Sequence, residues 1–240
     1  MVRLDRALSK LGLASRSEAR RLIEAGAVRL RGKTVKDPAR LVVPDRAAIE
    51  IAGRTTEAIP WRTLALNKPR GVVTTHRDPE GRKTVFDLLG EEAKGLVTVG
   101  RLDMASTGLL LLTTDTQLAA WLTDPVNAIV RRYIVTVRGW VSDDAARKMV
   151  EGMGGLRAYS VDILKRSRRE THLRIELTEG KNREIRRLLE AVGHEVTRLL
   201  RVSFGGIALG TLQPGRWRET TEHEIGTAFP ERRHALNRRV

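Results

Sequence analysis

Val97-Thr98-Val99-Gly100-Arg101-Leu102-Asp103-Met104-Ala105-Ser106-Thr107-Gly108-Leu109-Leu110-Leu111-Leu112-Thr113 sets two apolar segments on either side of one polar loop. The flanks predict strands, and the loop between them carries a single acid. Asp103 therefore projects from a rigid strand end, where a carboxylate can serve as nucleophile or base. On spacing alone, the commoner reading of such a residue is a turn aspartate bonded to its own backbone.

Outward from this hairpin, strands are expected at 96–99, 109–112, 133–137, 161–164 and 173–177, and helices at 116–122, 143–151 and 183–192. In the last helix, Ile185, Leu188, Leu189 and Val192 share one face, which is thereby buried, and Gly193 supplies a stop. Several of the strands can follow one another without a crossover helix. The expected class is α+β, with a mixed, largely antiparallel sheet flanked by helices.

The first fifty-odd residues have a separate pattern. Leu4, Leu8 and Leu11 recur at helical spacing before Gly12, and a second helix is expected from Ser17 to Ala25, with Ser15 and Glu18 as a capping box and Gly26 as the stop. A hairpin turning at Arg31-Gly32-Lys33 follows, then short strands at 41–43 and 49–51. Arg16, Arg20 and Arg21 on the helix and Arg29, Arg31 and Lys33 on the hairpin make a candidate phosphate-tracking surface, the bland alternative being a solvated helix face. The expected divisions are residues 1–55, a linker at 56–62, a larger domain at 63–228 and a basic tail at 229–240.

Composition narrows the functional classes. The 240 residues carry a formal net charge of +15, which points to a polyanionic partner. Aromatic residues make up 4% and the arginines occur throughout, so an amphipathic membrane anchor and a base-stacking single-strand binder are both disfavoured against structured nucleic acid. No cysteine is present, which excludes disulfides, thiolate-held metals and a cysteine nucleophile. The five histidines form no helical pair for a metal. Gly152-Met153-Gly154-Gly155 does not complete a dinucleotide fingerprint, and no phosphate-binding loop occurs. The N-terminus lacks a secretory apolar core, and the leucine run at 109–112 is too short to span a bilayer, so a cytoplasmic protein is expected.

Motif order adds a resemblance. Residues 2–50, through Gly12-Leu13-Ala14-Ser15-Arg16, Ala19-Arg20-Arg21-Leu22-Ile23 and Gly26-Ala27-Val28-Arg29-Leu30-Arg31-Gly32-Lys33, resemble the αL RNA-binding module named after small-subunit ribosomal protein four. Leu66-Asn67-Lys68-Pro69-Arg70-Gly71, Gly100-Arg101-Leu102-Asp103, Gly108-Leu109-Leu110-Leu111-Leu112-Thr113 and Glu179-Gly180-Lys181-Asn182-Arg183-Glu184-Ile185-Arg186-Arg187 occur in the order of bacterial ribosomal-RNA pseudouridine synthases.

This resemblance implies isomerisation of uridine in ribosomal RNA, with large-subunit RNA favoured, without cofactor or metal. It implies Asp103 as the nucleophile, Tyr133 stacking on the uracil and assisting proton removal from its C5, and Arg186 pairing with the catalytic carboxylate. Arg101, Ile185, Lys68 and Arg183 are implied in substrate binding. Ala105 stands where the family commonly has a second acid. The partner would be ribosomal RNA or a ribosome-assembly intermediate, and a monomer is the default expectation. Two competitors remain: a non-catalytic RNA-binding assembly factor retaining the fold, and an RNA methyltransferase, which would need a glycine-rich cofactor loop absent from this sequence.

Overall fold

The computed structural model describes residues 1–11, 13–14, 16–43, 48–51, 54–55 and 61–232. The expected stop at Gly12, the Ser15 cap, most of the linker and the tail beyond 232 lie outside the described residues. Two compact units emerge: Met1–Arg62 with Ala93–Val97 and Thr113–Leu118, and Thr63–Glu92 with Thr98–Leu112 and the chain from Ala119.

The N-terminal module contains β1 (Val2–Arg3), α1 (Leu4–Lys10), α2 (Arg16–Glu24), β2 (Val28–Leu30), β3 (Lys33–Val35), β4 (Leu41–Val42), β5 (Ile49–Ile51) and β6 (Arg54–Thr55). Leu4, Ala7 and Leu8 of α1 close over Ala19 and Ile23 of α2, with Val28, Val35, Val42 and Ile49 beneath them. These residues recur at helical spacing on the helices and alternate on the strands, so one small core forms from both. Gly26, at φ +72°, ends the α2 segment with its N–H bonded to Ile23 O at 2.9 Å. Arg31 and Gly32 both take positive φ, which lets a two-residue turn join the antiparallel pair β2 and β3.

Beyond the module lie β7 (Thr63–Lys68), α3 (Val85–Leu89), β8 (Val97–Thr98), β9 (Thr107–Thr113), α4 (Thr116–Thr123), β10 (Arg131–Arg138), α5 (Asp143–Glu151), β11 (Ser160–Arg166), β12 (Glu170–Leu177), α6 (Glu184–Ala191), β13 (Val196–Phe204), β14 (Ile207–Ala208), β15 (Trp217–Thr220) and α7 (Glu222–Ala228). Their sheet runs in the order β11-β12-β10-β13-β9-β7-β15. Neighbours from β11 to β13 are antiparallel, as are β7 and β15, whereas β13 and β9 run parallel. The mixed, largely antiparallel expectation describes this sheet.

Burial follows position in the sheet. Leu109 to Leu112 of β9 are all fully buried, as a central strand covered on both faces requires. On β12, buried Thr171, Leu173, Ile175 and Leu177 alternate with more exposed residues. The α6 face carrying Ile185, Leu188 and Leu189 is buried as its spacing predicted, and Gly193 follows at φ +83°. Phe229, the first residue of the expected tail, follows α7 directly. It is 1% exposed and meets Trp121 edge-on, because α7 folds back and delivers it into the core. Among the described residues no helix is long and apolar enough to cross a membrane.

Candidate active site

Asp103 sits in the loop before β9, and that loop is pinned carbonyl by carbonyl. Gly71 N donates to Met104 O at 2.9 Å, Thr74 Oγ1 to Leu102 O at 2.8 Å, and Lys68 Nζ to Ser106 O at 2.9 Å. The loop closes on itself through Ser106 N to Asp103 O at 3.0 Å, and the hairpin behind it through Val99 N to Leu111 O at 2.8 Å. Two motifs separated in sequence thus form one device: the segment from Lys68 to Thr74 holds the turn that presents Asp103. Among the described residues, the Asp103 carboxylate accepts no hydrogen bond from its own backbone, so the turn-aspartate reading does not describe it.

The carboxylate opens into a cavity of about 710 Å³ lined also by Arg101, Tyr133, Arg183, Ile185 and Arg186. Five of the seven residues assigned to catalysis or substrate binding therefore surround Asp103 or lie beside it. Tyr133, on β10, is 8% exposed, and Ile185, on the first turn of α6, is 3% exposed. Arg101 is exposed at the rim.

The arginine nearest to Asp103 is not the expected one. Arg183 Nη1 approaches Asp103 Oδ2 at 3.7 Å, and Arg183 adopts a left-handed backbone at the N-cap of α6, φ +49°, which turns the chain into the helix above the carboxylate. Arg186 donates from Nη1 to Val196 O at 3.1 Å and makes no ion pair with Asp103 within 4.0 Å. The two still interact electrostatically: burial and the Arg183 charge lower the Arg186 pKa, while Asp103 opposes them.

Lys68 also differs from expectation. It is fully buried and does not line the cavity. Its ammonium donates to Ser106 O and, at 3.1 Å, to Pro69 O, and burial pushes its pKa down to about 8 against the pull of Asp103. The side chain positions the Asp103 turn and cannot touch a substrate from there.

Cavity residues that the sequence reading did not assign to the site include Arg131, Glu184, Arg201 and Phe204. Arg131 lies two residues before Tyr133 on one strand and so shares its face, a signal the sequence did offer. Arg131 Nη1 donates to Ile129 O and Thr178 O, and its Nη2 to Leu122 O, at 2.9–3.2 Å. Glu184 is 2% exposed; it accepts from Lys181 N at 3.2 Å, and burial together with Glu179 raises its pKa to about 7. The loop at 78–83 flanks the same cavity through Asp78 and Arg82, whose ion pair closes at 2.7 Å.

The six proposed anchoring residues, Arg16, Arg20, Arg21, Arg29, Arg31 and Lys33, are all exposed on the N-terminal module. Arg20 pairs with Glu24 at 2.9 Å, and Arg29 stands opposite Glu50 across the β2–β5 pair. Arg16, Arg21, Arg31 and Lys33 make no ion pair among the described residues.

Comparison with known proteins places these features. A family model described as RNA pseudouridylate synthase matches residues 62–191, and an S4 domain model matches residues 2–46. An uncharacterised RNA pseudouridine synthase of Aquifex aeolicus is 34% identical over 95% of this chain and 94% of its own. The ribosomal large subunit pseudouridine synthase B of Bacillus subtilis is 35% identical over 94% of each chain, and that of Yersinia pestis 38% identical over 90% of this chain and 72% of its own. A crystal structure of a pseudouridylate synthase superimposes with a TM-score of 0.68 and 28% identity, covering 95% of this chain and all of that one.

Proposed function

Since the chain belongs to the RNA pseudouridine synthases, we propose that it isomerises a uridine of large-subunit ribosomal RNA with Asp103 as nucleophile, without cofactor, acting in the cytoplasm as a monomer on free RNA or an assembly intermediate. The observation that carries this reading is the pinned turn presenting the Asp103 carboxylate to a cavity shared with Tyr133 and Ile185. Isomerisation breaks the C1′–N1 bond of uridine and joins C1′ to C5 of the same base. The C5 proton leaves and N1 gains one, so atoms and electrons balance with no external donor. A held carboxylate can attack the nucleoside, while the faces of Tyr133 and Ile185 keep the detached base from escaping. The target must first leave its helical stack, which costs roughly a few kcal/mol, and the basic module would hold the surrounding RNA meanwhile. Arg183 is the better candidate than Arg186 for the cation paired with Asp103 in the unliganded protein, and Arg101 at the rim is suited to the flipped nucleotide's phosphate.

The large-subunit preference rests on the names of the Bacillus subtilis and Yersinia pestis relatives. Incubating the purified protein separately with deproteinised large- and small-subunit ribosomal RNA and mapping pseudouridine tests it. A single new site in the large-subunit RNA is expected, and product confined to the small-subunit RNA would overturn the preference.

A further inference from the structure

We propose that Arg201, with Arg131 beside it, is a further catalytic residue: its guanidinium takes up the negative charge that the uracil acquires when its bond to C1′ breaks. The proposal rests on the reading that the flipped uridine enters the Asp103 cavity, and it goes beyond the nucleophile to the fate of the leaving group.

Arg201 lies on β13 directly opposite Tyr133 of β10, so the two side chains stand together on one sheet face. It is 2% exposed and lines the floor of the Asp103 cavity. Its Nε is spent on Leu109 O at 2.7 Å, but Nη2 is enclosed with no hydrogen-bond partner. The Phe204 ring lies 5.3 Å from this guanidinium and 4.9 Å from that of Arg131. Arg131 already donates from both terminal nitrogens to the three carbonyls named, whereas Nη2 of Arg201 has no hydrogen-bond partner. Among the described residues neither forms an ion pair.

Two buried guanidinium groups without a paired carboxylate are costly, and the cost points to an anion that is present only during turnover. The RNA phosphates do not fit that role, because Ile185, Leu199 and Phe204 give the inner cavity apolar walls suited to a base. The reaction itself creates the anion. As the C1′–N1 bond breaks, its electron pair stays on the base and spreads from N1 onto the two carbonyl oxygens. A guanidinium fixed in the cavity wall would place positive charge beside that base and lower the barrier with little reorganisation. The charge is discharged when C5 bonds to C1′, the C5 proton departs and N1 is protonated, with nothing oxidised or reduced.

The test compares wild type, Arg201→Met and Arg201→Lys in single turnover on ribosomal RNA carrying uridine or 5-fluorouridine at the target, reading loss of the original nucleoside. Fluorine stabilises the departing base, so it should relieve a variant that no longer does so. Arg201→Met is expected to slow the uridine substrate about 100-fold or more, and the fluorinated one no more than about 10-fold, with RNA affinity unchanged. Arg201→Lys keeps the charge and should fall between wild type and Arg201→Met; if the methionine variant does not fold, the lysine variant carries the comparison. An equal penalty on both substrates, as loosened packing would give, or rates near wild type, overturns the proposal. Failure of the underlying reading looks different: wild-type protein would then leave uridine unconverted.

Discussion

Glu184 shows how far a single residue's environment can depart from its sequence context. It is the first residue of α6, where an acid ordinarily stays charged against the helix terminus, yet burial and the neighbouring Glu179 raise its pKa to about 7. Between the ordinary glutamate value and about 7, the folded state holds a proton that the unfolded chain has released. This group's stabilising contribution is therefore full at low pH and is lost as the pH rises through that window. Glu184→Gln stays neutral throughout and can still accept from Lys181 N. Relative to wild type it should gain on the order of 2 kcal/mol between pH 5 and pH 8, measured by urea unfolding at both values. A gain independent of pH would mean that Glu184 titrates normally. At this scale motif order singled out Asp103, Tyr133 and Ile185, and the fold brings the three to one cavity. The sequence could not separate the positioning role of Lys68 from substrate contact, because that depends on a burial which Asn67-Lys68-Pro69 does not disclose.

Among the elements, β13 was absent from the sequence reading although it joins β10 to β9. Its sequence, Val-Thr-Arg-Leu-Leu-Arg-Val-Ser-Phe, offers no clean alternation, since Arg201 occupies an inward position where a strand pattern calls for an apolar residue. Tertiary placement overrode the local signal, and it did so at a cavity residue. By contrast, α5 appears from Asp143 to Glu151 as its pattern indicated, with Ser142 accepting from Ala145 N at 3.1 Å as its cap. The parallel contact of β13 with β9 depends on Gly108, whose φ is +103° and whose Cβ, were it to have one, would lie 2.3 Å from Arg201 O and 2.8 Å from Arg201 N. Backbone atoms cannot yield as a side chain would. Gly108→Ala should therefore cost roughly 3 kcal/mol or more in urea unfolding, and a loss below about 1 kcal/mol would show that the junction adapts.

Over the whole molecule, the charge of +15 separates into surface and site. Arg16, Arg21 and Lys33 are exposed and make no ion pair among the described residues, whereas Arg131 and Arg201 are buried in the cavity. Composition revealed the total and motif order the division into an RNA-binding module and a synthase, but which cations face inward emerged only from the folded chain. Replacing Arg16, Arg21 and Lys33 together by alanine should weaken RNA binding and reduce the salt slope of log K by about 2, leaving turnover at saturating RNA unchanged. An equal loss of saturating turnover would contradict that division of labour. The most direct measurement of the whole mechanism is single-turnover pseudouridine formation on ribosomal RNA by wild type and Asp103→Asn. The pinned turn and its cavity predict that the substitution abolishes product while RNA affinity and folding persist; undiminished product from Asp103→Asn would contradict it.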